Sequence, residues 1–177
     1  MNTLDTLFSR RSIRSYTGEG LSEAELSTII KAAYASPVGR AMFDTLALTV
    51  VTDKNFIAEW DSFAATAFGK ADFHPLYNAP VVIIVSSAAV NGEIGNVQYS
   101  NAAILVQNMA IAATELGLGS CHIWGAIRAL VTSDELLAKL SIPAGMTPCC
   151  AIILGKTEEK YALRDIPEEK IKTNFVK

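Results

Sequence analysis

The sequence predicts an α+β domain folded as one unit. Short runs of branched apolar residues alternate with helical segments. No repeat, low-complexity tract or Pro/Gly-rich linker divides the chain, and 177 residues suffice for a single core. A first helix is expected over Thr3 to Ser9, ending at the arginines that follow. Leu21-Ser22-Glu23-Ala24-Glu25 opens a second, where a Ser-x-x-Glu capping box satisfies free amide groups at the helix start. Its apolar face is Leu26, Ile29, Ile30 and Ala33, and it should stop near Pro37 and Gly39. A buried strand follows over Leu46 to Thr52, then a helix over Lys54 to Gly69. Pro80 to Ser86 is the most strand-like run. Val81 to Val85 is too continuously apolar for either face to meet water, which predicts a central strand. Val97 to Leu116 reads as a long helix, apolar almost all round and so expected to be buried on every side. A helix from a Ser133 cap through Leu140 ends before Pro143, and Thr147 to Leu154 is a further buried strand. The charged tail from about residue 156 is expected on the surface or on a partner.

Composition narrows the function classes. Half of the residues are hydrophobic, 19% are charged and the mean hydropathy is +0.28. The chain thus has more apolar surface than a monomer needs, and the excess suits a cofactor cleft or a subunit interface. A net charge of −3 gives no overall attraction to nucleic acid. Asp5 and the arginines Arg10, Arg11 and Arg14 leave no hydrophobic signal core at the start. The apolar run from Ala102 breaks at Gln107 and Asn108, short of the roughly 20 residues that span a bilayer. The expectation is a cytoplasmic protein without membrane contact. Cys121, Cys149 and Cys150 cannot close a disulfide framework, and two neighbours on a strand should point to opposite faces. Reduced thiols follow.

The sharpest local feature is Arg10-Arg11-Ser12-Ile13-Arg14, three guanidinium groups and a hydroxyl within five residues. Arginine offers fixed donor forks that match phosphate oxygens, and a serine hydroxyl can complete the shell. A solvated basic turn is the plainer reading of the same residues. Gly117-Leu118-Gly119 lacks the third glycine of a dinucleotide fingerprint and follows a helix rather than a strand, so a helix C-cap explains it better. Cys121 and His122 are sequence neighbours that should point apart, with no third group to orient them, and no zinc-ligand spacing is present. No catalytic dyad and no metal are expected. Trp124 and Phe43 suit either stacking on a planar ligand or ordinary packing.

The start of the chain through Arg14-Ser15-Tyr16, followed by the capped helix, resembles the opening of the nitroreductase family. The resemblance continues at Ala35-Ser36-Pro37-Val38-Gly39, at Leu76-Tyr77-Asn78-Ala79-Pro80-Val81-Val82 and at Ser100-Asn101 through Asn108. It is densest from Ala112-Ala113-Thr114-Glu115-Leu116-Gly117-Leu118-Gly119-Ser120-Cys121 into His122-Ile123-Trp124-Gly125. Ile142-Pro143-Ala144-Gly145 and Leu154-Gly155 complete it, so the match runs in order along most of the chain.

The resemblance implies a mixed, mostly antiparallel sheet of about four strands flanked by helices, in a homodimer joined through the long apolar helix. It implies FMN as cofactor, NADH or NADPH as co-substrate, and a small-molecule electron acceptor such as a nitroaromatic or quinone. By the same resemblance Arg10 and Ser12, with Arg11 beside them, belong to the FMN phosphate, and Arg14 lies near flavin N1 and the C2 carbonyl. Arg164 matches a late arginine that returns to the phosphate, while Ala162 stands where a lysine is often found. His122, Ile123, Trp124 and Gly125 match the loop whose backbone faces flavin N5 and O4. Ser36, Pro37, Val38 and Gly39 match a segment that reaches the partner's flavin. The run Arg40-Ala41-Met42-Phe43-Asp44 departs from larger members, and Lys70 and His74 are the nearest candidates for a lysine those members place by the pyrimidine. Two other readings stay open: a flavin enzyme with dehalogenating or flavin-fragmenting chemistry, and a non-catalytic FMN carrier or sensor.

Overall fold

The structure, a computed structural model, describes residues 2–70, 72–90 and 92–177. Among the described residues six α-helices and four strands follow one another as α1 Thr3–Ser9, α2 Glu23–Tyr34, β1 Leu46–Val51, α3 Lys54–Ala67, β2 Val81–Ala88, α4 Asn96–Glu115, β3 Gly119–Ile123, α5 Gly125–Leu130, α6 Asp134–Ala138 and β4 Met146–Gly155, with two short 3-10 turns at Gly39–Ala41 and Phe43–Thr45. The strands form one sheet in the order β1-β2-β4-β3, and all three pairings are antiparallel.

Local chemistry sets the helix starts. The Ser22 side chain accepts from the Glu25 amide while the Glu25 carboxylate accepts from the Ser22 amide, closing the expected capping box on α2. Asp53 accepts from the Asn55 and Phe56 amides at 2.9 and 3.3 Å, which fixes the start of α3 directly after β1.

The sheet separates two apolar layers. Val82 and Ile84 of β2 and Ala151 and Ile153 of β4 face α3, α5 and α6, where Trp60 is fully buried and donates through Nε1 to the Ala126 carbonyl at 3.0 Å. Val81, Ile83 and Val85 of β2, with Ile152 and Leu154 of β4, face α2 and α4. β2 is buried on both faces, as its unbroken apolar run predicts.

Three expectations change. β3 and α5 are regular elements in a stretch expected only as an extended loop. Helix α4 is not buried on every side: Leu105, Val106, Met109 and Ala113 pack inward, while Val97 and Tyr99 are exposed and Ile104 and Ile111 half-exposed on the outer side. Its all-round apolarity therefore marks a face that the single chain leaves open. Cys149 and Cys150 do not take opposite faces either. Val85 pairs with Cys150 but Ser86 pairs with Pro148, so Cys149 is the extra residue of a β-bulge, and both cysteines meet the α2–α4 layer.

Candidate functional site

The chain leaves α1 at Arg10 in an extended conformation and runs along the β3 end of the sheet. The Ile13 amide donates to the Ser120 carbonyl at 2.8 Å and the Thr17 amide to the Lys156 carbonyl at 3.0 Å. Ile13 is fully buried, and its neighbours Ser12 and Arg14 are exposed, as alternation on an extended segment requires. Two glycines permit this close approach. Gly119 and Gly155 face each other across β3 and β4. A Cβ on Gly119 would stand 2.9 Å from Ile13 Cγ2, and one on Gly155 would stand 2.7 Å from Pro80 Cδ and 2.9 Å from Tyr16 Cδ1. The bare backbone at this crossing sets where the arginines stand.

Arg14 lies over the Tyr77 ring, with Cζ 5.5 Å from the centroid. It shares a cavity of about 180 Å³ with His122, Ile123, Trp124 and Gly125, so the structure brings these five sequence-predicted residues together. Phe68, Phe73 and Tyr77 line the same cavity and were not singled out from sequence. Phe73 and Tyr77 meet edge-on at 5.9 Å, and Phe68 approaches Gly125 so closely that a Cβ there would be 3.2 Å from its ring. Trp124 is half-exposed and stacks beneath Arg128 at 5.0 Å. Partial desolvation of the His122 imidazole, then the nearby Arg10 charge, holds its pKa below the ordinary histidine value. The thiol of Cys121 points the other way, into the core.

The tail closes over the arginine cluster. Arg11 donates to the Lys160 carbonyl and pairs with Glu159, each at 3.1 Å. Arg164 donates through Nε to the Phe8 carbonyl at 2.9 Å at the end of α1, and Tyr161 donates to the Leu118 carbonyl at 2.8 Å. Arg11 and Arg164 thus spend their donors on protein groups. The Arg10 amide donates to the Thr6 carbonyl at 2.9 Å, but the side chains of Arg10 and Ser12 have no hydrogen-bond or ion-pair partner among the described residues. A free guanidinium and hydroxyl, next to a cavity walled by aromatic rings and by Arg14, form a donor set that fits a phosphorylated planar group.

The remaining candidates lie apart. Ser36 and Val38 are buried, and Pro37 is exposed. Gly39 donates to Asn101 Oδ1 at 3.0 Å and lines a different, mostly apolar cavity of about 550 Å³ with Arg40, Met42 and Val97. Arg40 and Ala41 are left-handed at φ 58 and 54°, so the divergent segment has its own tight turn. Lys70 is exposed beyond α3. His74 faces a third cavity of about 260 Å³ with Lys54, Asp61 and Ser62. The turn between α3 and β2 separates that cavity from Arg14: Phe73, Pro75 and Tyr77 face the arginine, while His74, Leu76 and Asn78 face the other side. Among the described residues, no cluster of three or more His, Cys, Asp or Glu could hold a metal, and no helix is long and apolar enough to cross a membrane.

Known proteins resemble this chain in sequence and in fold. An FMN reductase (NADPH) of Bacillus subtilis is 28% identical over 166 residues, which is 87% of this chain and 65% of the relative, so the chain spans just under two thirds of that protein's length. A nitroreductase with bound FMN from Desulfitobacterium hafniense superposes with a TM-score of 0.84 at 22% identity, covering 99% of this chain and 100% of that one. An FMN-dependent nitroreductase from Clostridium difficile does so with a TM-score of 0.74 at 26% identity, covering 98% and 99%. The sequence profile of the nitroreductase family matches residues 7–156, from within α1 to the residue after β4, and by that match the chain belongs to the nitroreductase family.

Proposed function

We propose that the protein is an FMN-dependent oxidoreductase, a homodimer that takes hydride from NADH or NADPH and passes it to a small acceptor such as a nitroaromatic or quinone. The observation that carries this reading is the convergence of Arg14 with residues 122–125 on one aromatic-walled cavity, with the side chains of Arg10 and Ser12 free of protein partners earlier on the same segment. The names of the relatives, an FMN reductase and two FMN-bound or FMN-dependent nitroreductases, support the cofactor.

Each residue then has a physical task. Arg10 and Ser12 hold the terminal phosphate through charge-assisted and neutral hydrogen bonds, and Arg11 and Arg164 secure the tail and α1 around them. Arg14 supplies positive charge at the pyrimidine end of the ring, where negative charge accumulates on reduction. The backbone of His122 to Gly125, which lines the same cavity, would flank a ring bound there. FMN bound there supplies hydride acceptance from a nicotinamide and delivery to a second acceptor. Positioning rather than proton transfer is the protein's main contribution. The open side of α4 and the separate cavity at Gly39 support a second copy that completes each site, with residues 36–39 serving the partner's flavin.

The test is an absorbance spectrum of the purified protein, before and after anaerobic addition of NADH or NADPH. A flavin spectrum that bleaches on addition is expected, with turnover when a nitroaromatic or quinone follows. A flavin that binds but is not bleached would replace the enzyme reading with that of an FMN carrier or sensor. Bleaching without turnover on any such acceptor would favour other flavin chemistry.

A further inference from the structure

We infer that Asp61 and His74 are positioning residues for Arg14, acting through the turn that carries Tyr77. The consequence for electron transfer rests on the flavin reading above, whereas the clamp itself does not. Asp61, on α3, is only 6% exposed. A carboxylate that deep needs partners for both oxygens, and one turn provides them. The Leu76 amide donates to Oδ1 at 2.7 Å, and Nδ1 of His74 lies 2.7 Å from Oδ2. Because a carboxylate only accepts, His74 carries its proton on Nδ1 and donates it.

The turn so held is an unusual one. The Tyr77 amide donates to the His74 carbonyl at 2.9 Å and the Ala79 amide to the Leu76 carbonyl at 3.0 Å. Between them Tyr77 and Asn78 are both left-handed, at φ 53 and 55°, with no glycine to ease the strain. Such backbone persists only where its surroundings over-determine it, and the two bonds from Asp61 grip the turn just before it. On the opposite side of the same turn the Tyr77 ring lies beneath Arg14 and edge-on to Phe73.

Arg14 has need of such a platform. It is exposed on an extended segment and its side chain makes no hydrogen bond or ion pair among the described residues, so the Tyr77 ring is what its guanidinium rests on. Fixing a long side chain in one orientation opposes its rotamer freedom, and a ring at a set height supplies that orientation. Asp61 therefore acts on Arg14 from the far side of the turn, without touching the cavity in which Arg14 lies.

The test compares His74→Ala with His74→Asn, whose side-chain amide nitrogen is bonded to Cγ as Nδ1 is and can still donate to Asp61. In the full chain freed of any bound flavin, NMR should show the Arg14 Hδ protons shifted upfield by the Tyr77 ring. That shift should be lost in His74→Ala and restored in His74→Asn. In FMN-loaded protein the midpoint potential should fall in His74→Ala, in the same direction as in Arg14→Gln, and recover in His74→Asn. Asp61→Ala should reproduce His74→Ala. His74 is largely exposed, so its variants decide the matter where Asp61→Ala fails to fold. Parent-like Arg14 resonances in His74→Ala, or no upfield shift in the parent, would overturn the inference. Protein that takes up no FMN would refute the flavin reading and leave the NMR result standing.

Discussion

Arg10 and Arg14 lie on the same extended segment, four residues apart, yet their surroundings divide their work. Arg10 stands by the tail and the His122 side of β3, and Arg14 lies on the aromatic wall of the cavity. The two substitutions should separate accordingly. Arg10→Ala should weaken FMN binding by about 1.5–3 kcal/mol, the scale of a charged hydrogen bond, with the bound flavin's potential unchanged. Arg14→Gln keeps a polar side chain but removes charge from the ring, and a contribution of about 1–3 kcal/mol corresponds to a potential lower by roughly 20–65 mV. Fluorescence titration of FMN and a potentiometric titration measure the two. An Arg14→Gln protein that loses FMN but keeps the parent potential would move Arg14 to the phosphate. The meeting of Arg14 with residues 122–125 at one cavity joins two stretches that the sequence marks as local motifs. Phe68, Phe73 and Tyr77 are not so marked, since isolated aromatics carry no spacing signal and meet Arg14 only through the fold.

At the scale of elements, the crossing of segment 13–16 over β3 and β4 depends on two missing methyl groups. Gly119→Ala and Gly155→Ala each place a Cβ within about 3 Å of Ile13, Tyr16 or Pro80 and should cost about 1–3 kcal/mol as overpacking. Thermal unfolding should show the loss, and FMN affinity should fall with it, because the arginines move with the segment. A second link joins α2 to the end of β4. The Lys156 ammonium on the Glu25 carboxylate, followed by the Ser22 amide, holds that carboxyl below its ordinary value of 4.5. A depressed carboxylate pKa stabilises the fold fully above the ordinary value and stops doing so as pH falls through the folded one. The stability gap between the parent and Glu25→Gln should therefore be widest near neutral pH and close on acidification, as followed by melting temperature against pH. Helices α1 to α4 and strands β1, β2 and β4 were legible because caps and apolar runs mark them. β3 and α5 were not. Gly-Ser-Cys-His-Ile has little apolar alternation, and a six-residue helix opening on glycine is too short to show a period. The bulge at Cys149 escaped for a related reason, since strand alternation assumes a regular ladder.

For the whole molecule, apolar composition and the outer face of α4 lead to one expectation. Light scattering in dilute solution should give twice 19.0 kDa. Substituting charge at Ile104 or Ile111 should shift the species toward a monomer and release flavin, because the Gly39 cavity would lose its counterpart. A stable monomer with full flavin occupancy would contradict the shared site. The α+β class and the antiparallel sheet followed from pattern and resemblance, whereas the division of the candidate residues between two separate cavities came only from the fold. The wall between Arg14 and His74 carries a further consequence for how such a molecule can change in length. Its side chains are divided between two compartments by a turn of fixed shape, so inserting or deleting a residue between 73 and 78 would break that shape and scatter the furnishings of both. Replacing a side chain at constant length would leave every other one in its own compartment. This turn therefore ties the divergence of the protein to substitution rather than to change of length.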